Sequence, residues 1–210
     1  SAARVLALKR RYLRWEAATG EANLELVGSA AHHQLSADAY ARAITLVRDV
    51  PGLLPLRLAP EARLLVVARP GSAVSRAVDV PYAHAYLAEQ ITRRHANTAA
   101  LCLPAPLDAQ AESQLAVAVA AAEVLVVATI NAHLDPPQAA LVRALLATGK
   151  PVLALALADP YDVGLFPALG TALATYEYSP PALAAVAAVL FGERPPTGRL
   201  PVSIPELAGA

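Results

Sequence analysis

Four short stretches of this chain are apolar on both faces: RLLVVA (63–68), TAALCLP (98–104), EVLVVATI (123–130) and PVLALALA (151–158). Continuous runs of this kind suit parallel strands covered on both sides. Between them lie helical patterns, AHAYLAEQITRRH (83–95), DAQAESQLAVAVAAA (108–122) and PPQAALVRALLATGK (136–150). TALATYEY (171–178) reads as a fifth strand and SPPALAAVAAVLFG (179–192) as a last helix. Strand and helix alternating over about thirty residues build βαβ units with right-handed crossovers. The pattern predicts an open, mainly parallel α/β sheet of five or six strands with helices on both faces, a flavodoxin-like α/β sandwich. Its strands are expected at about 63–68, 98–103, 124–130, 151–157 and 171–175.

The first sixty residues follow another rhythm. Residues 3–16 present Val5, Leu8, Tyr12 and Trp15 on one helical stripe. After a polar stretch, in which His32 and His33 read as part of a turn, Ser36 is placed to cap a helix over 37–50. Tyr40, Ile44 and Val47 would share one face of that helix, and the proline-rich PGLLPLRLAPEA (51–62) connects it to the first strand.

Local punctuation supports these bounds. Asp135–Pro136–Pro137–Gln138 combines an N-cap carboxylate, a proline at the first helical position and a capping-box glutamine. Gly149 and Gly192 sit where helices end in a left-handed residue, and Ser179–Pro180 repeats the cap-and-proline entry. Past Gly192, GERPPTGRLPVSIP cannot be helical; it reads as a short edge strand or an extended strap that buries Leu200, Val202 and Ile204.

Charge and composition remove several classes of function. Lys plus Arg and Asp plus Glu both number 17, so net charge argues for neither nucleic acid nor an anionic membrane. Although 56% of residues are hydrophobic, no run approaches the roughly 18 residues of a membrane span. The lone Cys102 excludes an intrachain disulfide, and its apolar run reads as a buried strand thiol. The histidines lack any recognisable metal-ligand spacing. The chain has no methionine and begins in mid-pattern, which reads as a segment of a longer protein.

Catalytic and cofactor motifs are sparse. The loop after the first strand, RPGSAVSRAVDVPY, has one glycine where a dinucleotide fingerprint needs three. Gly149–Lys150 ends a helix, where the dipole disfavours a phosphate. Ser72 and Ser75 have no assignable base and no GxSxG elbow. Polar residues following the strands are the remaining candidates, because open α/β sheets bind ligands at the strands' carboxyl ends. After the third strand these are Asn131, His133 and Asp135, of which Asp135 also serves as a cap. Asp159, Asp162 and Glu177 follow later strands, where Asp-Pro-Tyr-Asp is equally turn chemistry.

Several segments together resemble the C-terminal α/β domain of family 3 glycoside hydrolases, in particular the bacterial β-N-acetylhexosaminidase branch. AARVLALKRRYL (2–13) resembles the helix closing the preceding barrel, and HHQLSADAYARAITLVRDVPGLLPL (32–56) the entry into the second domain. GKPVLALALADPYDVGLFP (149–167) and TYEYSPPALAAVAAVLFGERPPTGRLPVSIP (175–205) resemble its later elements, PTGRLPVSIP being the most specific. The resemblance implies that residues 1–35 are a helix and linker from a preceding barrel and that 36–210 are the family's C-terminal domain. It implies a retaining enzyme that removes terminal β-linked sugars, with N-acetylglucosamine the expected one, and whose nucleophile lies on a (β/α)₈ barrel in the parent chain. In β-glucosidase-like members an acid/base glutamate reaches over from this domain; the corresponding loop here, NAHLD, has none. The hexosaminidase-like branch instead uses a His–Asp pair on the barrel. No catalytic residue is therefore expected in this chain, and Asn131, His133 and Asp135 become substrate-cleft candidates. No cofactor or metal is implied; the implied partners are the barrel and a carbohydrate, not nucleic acid or a membrane. The same pattern also fits a stand-alone flavodoxin-like ligand-binding or scaffold domain.

Overall fold

The computed structural model describes residues 1–13, 24–69, 83–104 and 107–207. The chain divides into two compact units, Ser1–Leu35 and Ser36–Ala210. In the first, α1 (Ala2–Tyr12) carries Lys9, Arg10 and Arg11 in its last turn, where cations suit the carbonyl end of the helix dipole. Its apolar side chains Val5, Leu8 and Tyr12 are exposed, and Trp15 lies outside the described residues.

The second unit is a six-stranded sheet in the order β1-β6-β5-β4-β2-β3. β2 (Leu64–Ala68), β3 (Thr98–Cys102), β4 (Val124–Thr129), β5 (Val152–Ala156) and β6 (Thr171–Ala174) are parallel, as the apolar runs predict. Counted alone, these five stand in the order second, first, third, fourth, fifth, which is the flavodoxin-like winding. Alternation assigns each strand's side chains to two cores. Leu64, Val66, Val126, Leu153 and Leu155 join Leu87, Ile91, Leu183 and Val186 of α3 (Ala83–Thr92) and α6 (Pro180–Leu190). Leu65, Val67, Leu125 and Val127 join Val119, Leu141 and Leu145 of α4 (Ala109–Ala121) and α5 (Pro136–Ala147). Both faces are thus covered, the condition under which strands read as unbroken apolar runs.

The sixth strand corrects the sequence reading. The helix expected over 37–50 is α2 (Ala30–Ala43), followed at once by β1 (Thr45–Asp49), which pairs antiparallel with β6. Ser36 is therefore interior to a helix rather than its cap, and His32 and His33 lie in that helix, not in a turn. Packing overrides the helical stripe: Ile44 is fully buried in the same core as Leu173, and β6 offers β1 an otherwise unpaired edge. Asp49 then ties the strand down. Its carboxylate accepts from Leu53 N–H, Leu54 N–H and the Thr171 hydroxyl at 2.9, 3.1 and 2.8 Å.

The closing segment is a strap and not a strand. Gly192, at φ +75°, caps α6 as expected, and Gly198 N–H donates to Ile44 O at 2.9 Å. A Cβ on Gly198 would lie 2.1 Å from Ala43 O, so only glycine lets the strap seat there. Of the three side chains expected to be buried, Ile204 is (4% exposed), while Leu200 and Val202 are half-buried. Cys102 also departs from its reading. β3 is the sheet's outer parallel strand, and its thiol is exposed, although neighbouring atoms still desolvate it enough to raise its pKa.

Candidate functional site

The winding order reverses between β2 and β4, and ligands of open α/β sheets sit outside the carboxyl ends at such a point. The segment leaving β4 there carries Asn131, His133 and Asp135. Asn131 takes a left-handed conformation, φ 53°, which asparagine tolerates better than most side chains, and turns the chain into a short 3₁₀ helix (Ala132–Leu134). Asp135 caps α5, its carboxylate accepting from Gln138 N–H at 3.2 Å. Gln138 departs from the expected capping box. Its buried amide accepts from Ile130 N–H at 2.6 Å and donates to Ile130 O at 3.2 Å and Asp135 Oδ2 at 3.3 Å. One side chain thereby braces both ends of the loop.

His133 meets the next loop. After β5, Asp159 caps a 3₁₀ helix (Pro160–Leu165) by accepting from Tyr161 N–H at 2.9 Å, which is its turn role. Asp162, 1% exposed, is turned beneath His133: Oδ1 accepts from His133 N–H at 3.2 Å and lies 3.0 Å from Nδ1. That contact places the neutral ring's proton on Nδ1 and leaves Nε2 as an acceptor toward solvent. Nε2 lies 3.8 Å from Asp159 Oδ2, so a protonated ring would be flanked by two carboxylates. The side chain of His133 keeps 29% of its surface exposed, enough to contact a ligand.

An imidazole held by a buried carboxylate can accept or deliver a proton at Nε2, or hydrogen-bond a sugar hydroxyl. Among the sequence candidates, the structure brings His133, Asp159 and Asp162 together. Asn131 and Asp135 shape the backbone of the same loop. Glu177 is elsewhere engaged, accepting from Tyr178 N–H at 2.7 Å; burial, and then the Glu177 charge, push the Tyr178 hydroxyl's pKa upward. Lys150 donates Nζ to the carbonyls of Ala120 and Ala122 at the end of α4, a helix-terminating and not a phosphate-binding role. Ser72 and Ser75 lie outside the described residues. Among the described residues no group of three or more His, Cys, Asp or Glu could hold a metal ion, and no helix is long and apolar enough to cross a membrane. An open groove of about 830 Å³ lies at the opposite, amino ends of the strands, between Pro51–Leu58 and Lys150–Val152. It is lined mainly by apolar atoms and contains none of the sequence candidates.

Sequence reasoning missed Asp162 as the partner of His133 and Gln138 as a brace. The only sequence signal for Asp162 is a carboxylate set among residues that bury, Val163 and Phe166.

Known proteins now place this geometry in a family. A fungal multi-domain GH3 β-N-acetylglucosaminidase that has a GCN5-related glucosamine N-acetyltransferase region is 31% identical, with a TM-score of 0.79 over 96% of this chain. A family 3 β-N-acetylglucosaminidase from Paenibacillus sp. str. FPU-7 is 24% identical, with a TM-score of 0.76 over 97% of the chain. A β-glucosidase from Listeria innocua is 18% identical, with a TM-score of 0.67 over 86%. This chain spans 22%, 38% and 28% of those three chains, respectively. No curated protein sequence is significantly similar to it. Because the model of the glycosyl hydrolase family 3 C-terminal domain matches residues 44–209, nearly all of the sheet unit, the chain belongs to that family.

Proposed function

We propose that this domain packs against the catalytic (β/α)₈ barrel of a longer glycosidase, walls its substrate cleft and contributes no catalytic carboxylate. The carrying observation is the loop after β4. It is short, lacks a glutamate and is braced by Asp135, Gln138 and Asp162, so it cannot extend an acid over a neighbouring barrel. The parent reaction on this reading is removal of terminal β-linked N-acetylglucosamine by a retaining mechanism. The 31% identity to a β-N-acetylglucosaminidase supports that sugar. Residues 1–35 then belong to the end of the barrel domain, and the bound partner is a carbohydrate. His133 Nε2 would accept from a sugar hydroxyl at the cleft wall.

The His133–Asp162 pair favours a second reading, in which His133 itself is the general acid/base. Kinetics of His133→Gln in the parent enzyme separate the two. A wall contact predicts a raised KM with kcat within a factor of about three. A general acid/base predicts a kcat loss of about 10²-fold or more and the disappearance of one limb of the pH–rate profile.

A further inference from the structure

We propose that Arg69 is a carboxylate receptor at the switch point of the sheet, a role independent of the glycosidase reading. Arg69 directly follows β2, the strand beside β4 where the winding reverses. Alternation carried one residue past β2 places it with Leu65 and Val67 on the α4/α5 side, where Ala132 and Val163 flank His133 and Asp162. It is 4% exposed, yet Nε and Nη2 have no hydrogen-bond partner among the described residues. Burying a guanidinium without partners is among the costliest arrangements a fold can hold, and proteins keep such groups where a ligand completes them.

The chemistry of the orphaned edge names the ligand. Nε–H and Nη2–H lie parallel on one side of the guanidinium and match the two oxygens of a carboxylate. This chain already shows that match: Arg94 uses Nε at 2.7 Å and Nη2 at 2.9 Å to fork the carboxylate of Glu193. Arg69 presents the same edge. Asp162, the other charged group buried among the described residues, has its own unpartnered Oδ2 but forms no ion pair with Arg69. A single buried positive charge is neutralised by a monoanion, whereas a phosphate dianion would leave one charge uncompensated. The ligand class is therefore a small monocarboxylate, including a sugar acid.

The test uses this chain, with sodium acetate as the probe and sodium chloride at equal ionic strength and pH as the control. The Nε–H resonance of Arg69, assigned by its loss in Arg69→Met, should move saturably with acetate and not with chloride. Acetate should also raise the Tm of the wild type more than chloride does, and Arg69→Met should abolish that difference. If Arg69→Met does not fold, Arg69→Lys serves in its place; it keeps the charge but loses the fork, and should need about tenfold more acetate or more for the same rise. An Nε–H resonance that moves no further in acetate than in chloride overturns the proposal. So does an acetate-dependent rise in Tm that survives unchanged in the variant.

Discussion

Gln138 occupies the third position of α5, yet most of its bonding is spent outside that helix. With Gln138→Ala, Ile130 N–H and Ile130 O would lose their partners in a site where Ile130 is only 9% exposed. Each orphaned buried group costs about 1–3 kcal/mol. At about 2–4 °C per kcal/mol for a chain of this size, the Tm should fall by several degrees. Gln138→Glu should lower the Tm at least as much, because its buried carboxylate would face Ile130 O and the Asp135 carboxylate, to which the amide now donates. A melting curve of Gln138→Ala that overlays the wild type would remove the brace. Legibility at this scale depended on sequence distance. The Asp135 cap was readable because cap, prolines and glutamine are adjacent. The His133–Asp162 contact joins residues 29 positions apart, and nothing local announces it. Arg69 carried no signal either, since an arginine after a strand is ordinarily solvated.

β2, β4, β5 and β6 were readable because burial on both faces leaves an unbroken apolar run, a signal that does not depend on neighbours. β3, an outer strand with exposed positions, was readable because its sequence is apolar all the same. β1 was hidden because Ile44 and Val47 also continue the helical stripe of Tyr40, and only the edge of β6 decides between the two structures. The strap was recognisable as non-helical from its prolines, but the extent of its burial was not, since that depends on where Gly198 lets it touch the body. Truncation after Gly198 removes the burial of Ile204 and the partial burial of Leu200, Val202 and Leu207. At about 1.5–3 kcal/mol for a fully buried side chain, the loss should be roughly 3 kcal/mol or more. The Tm should then fall by about 6–12 °C in a thermal melt. An unchanged midpoint would reduce the strap to a tail.

For the whole chain, the central prediction concerns chemistry. Retaining glycosidases need two carboxyl-type groups about 5–5.5 Å apart, or an equivalent nucleophile and acid/base pair. The carboxylates after the strands are occupied here, Asp135 and Asp159 as caps, Asp162 beneath His133 and Glu177 on Tyr178 N–H. The 210-residue chain should therefore show no hydrolysis of aryl β-N-acetylglucosaminides or aryl β-glucosides, whereas the parent should cleave the former faster. Turnover by the purified chain that a carboxylate substitution within it abolishes would falsify the wall reading. One contact also bears on how such a unit can be joined to others. Where Gly198 N–H meets Ile44 O, the closing strap passes within a hydrogen bond of where the first strand begins, before running on to bury Ile204. Entry and strap share one doorway at that bond, so a host protein could accept the unit in a single surface loop only with the strap beyond Gly198 included, since Ile204 seats on the body there.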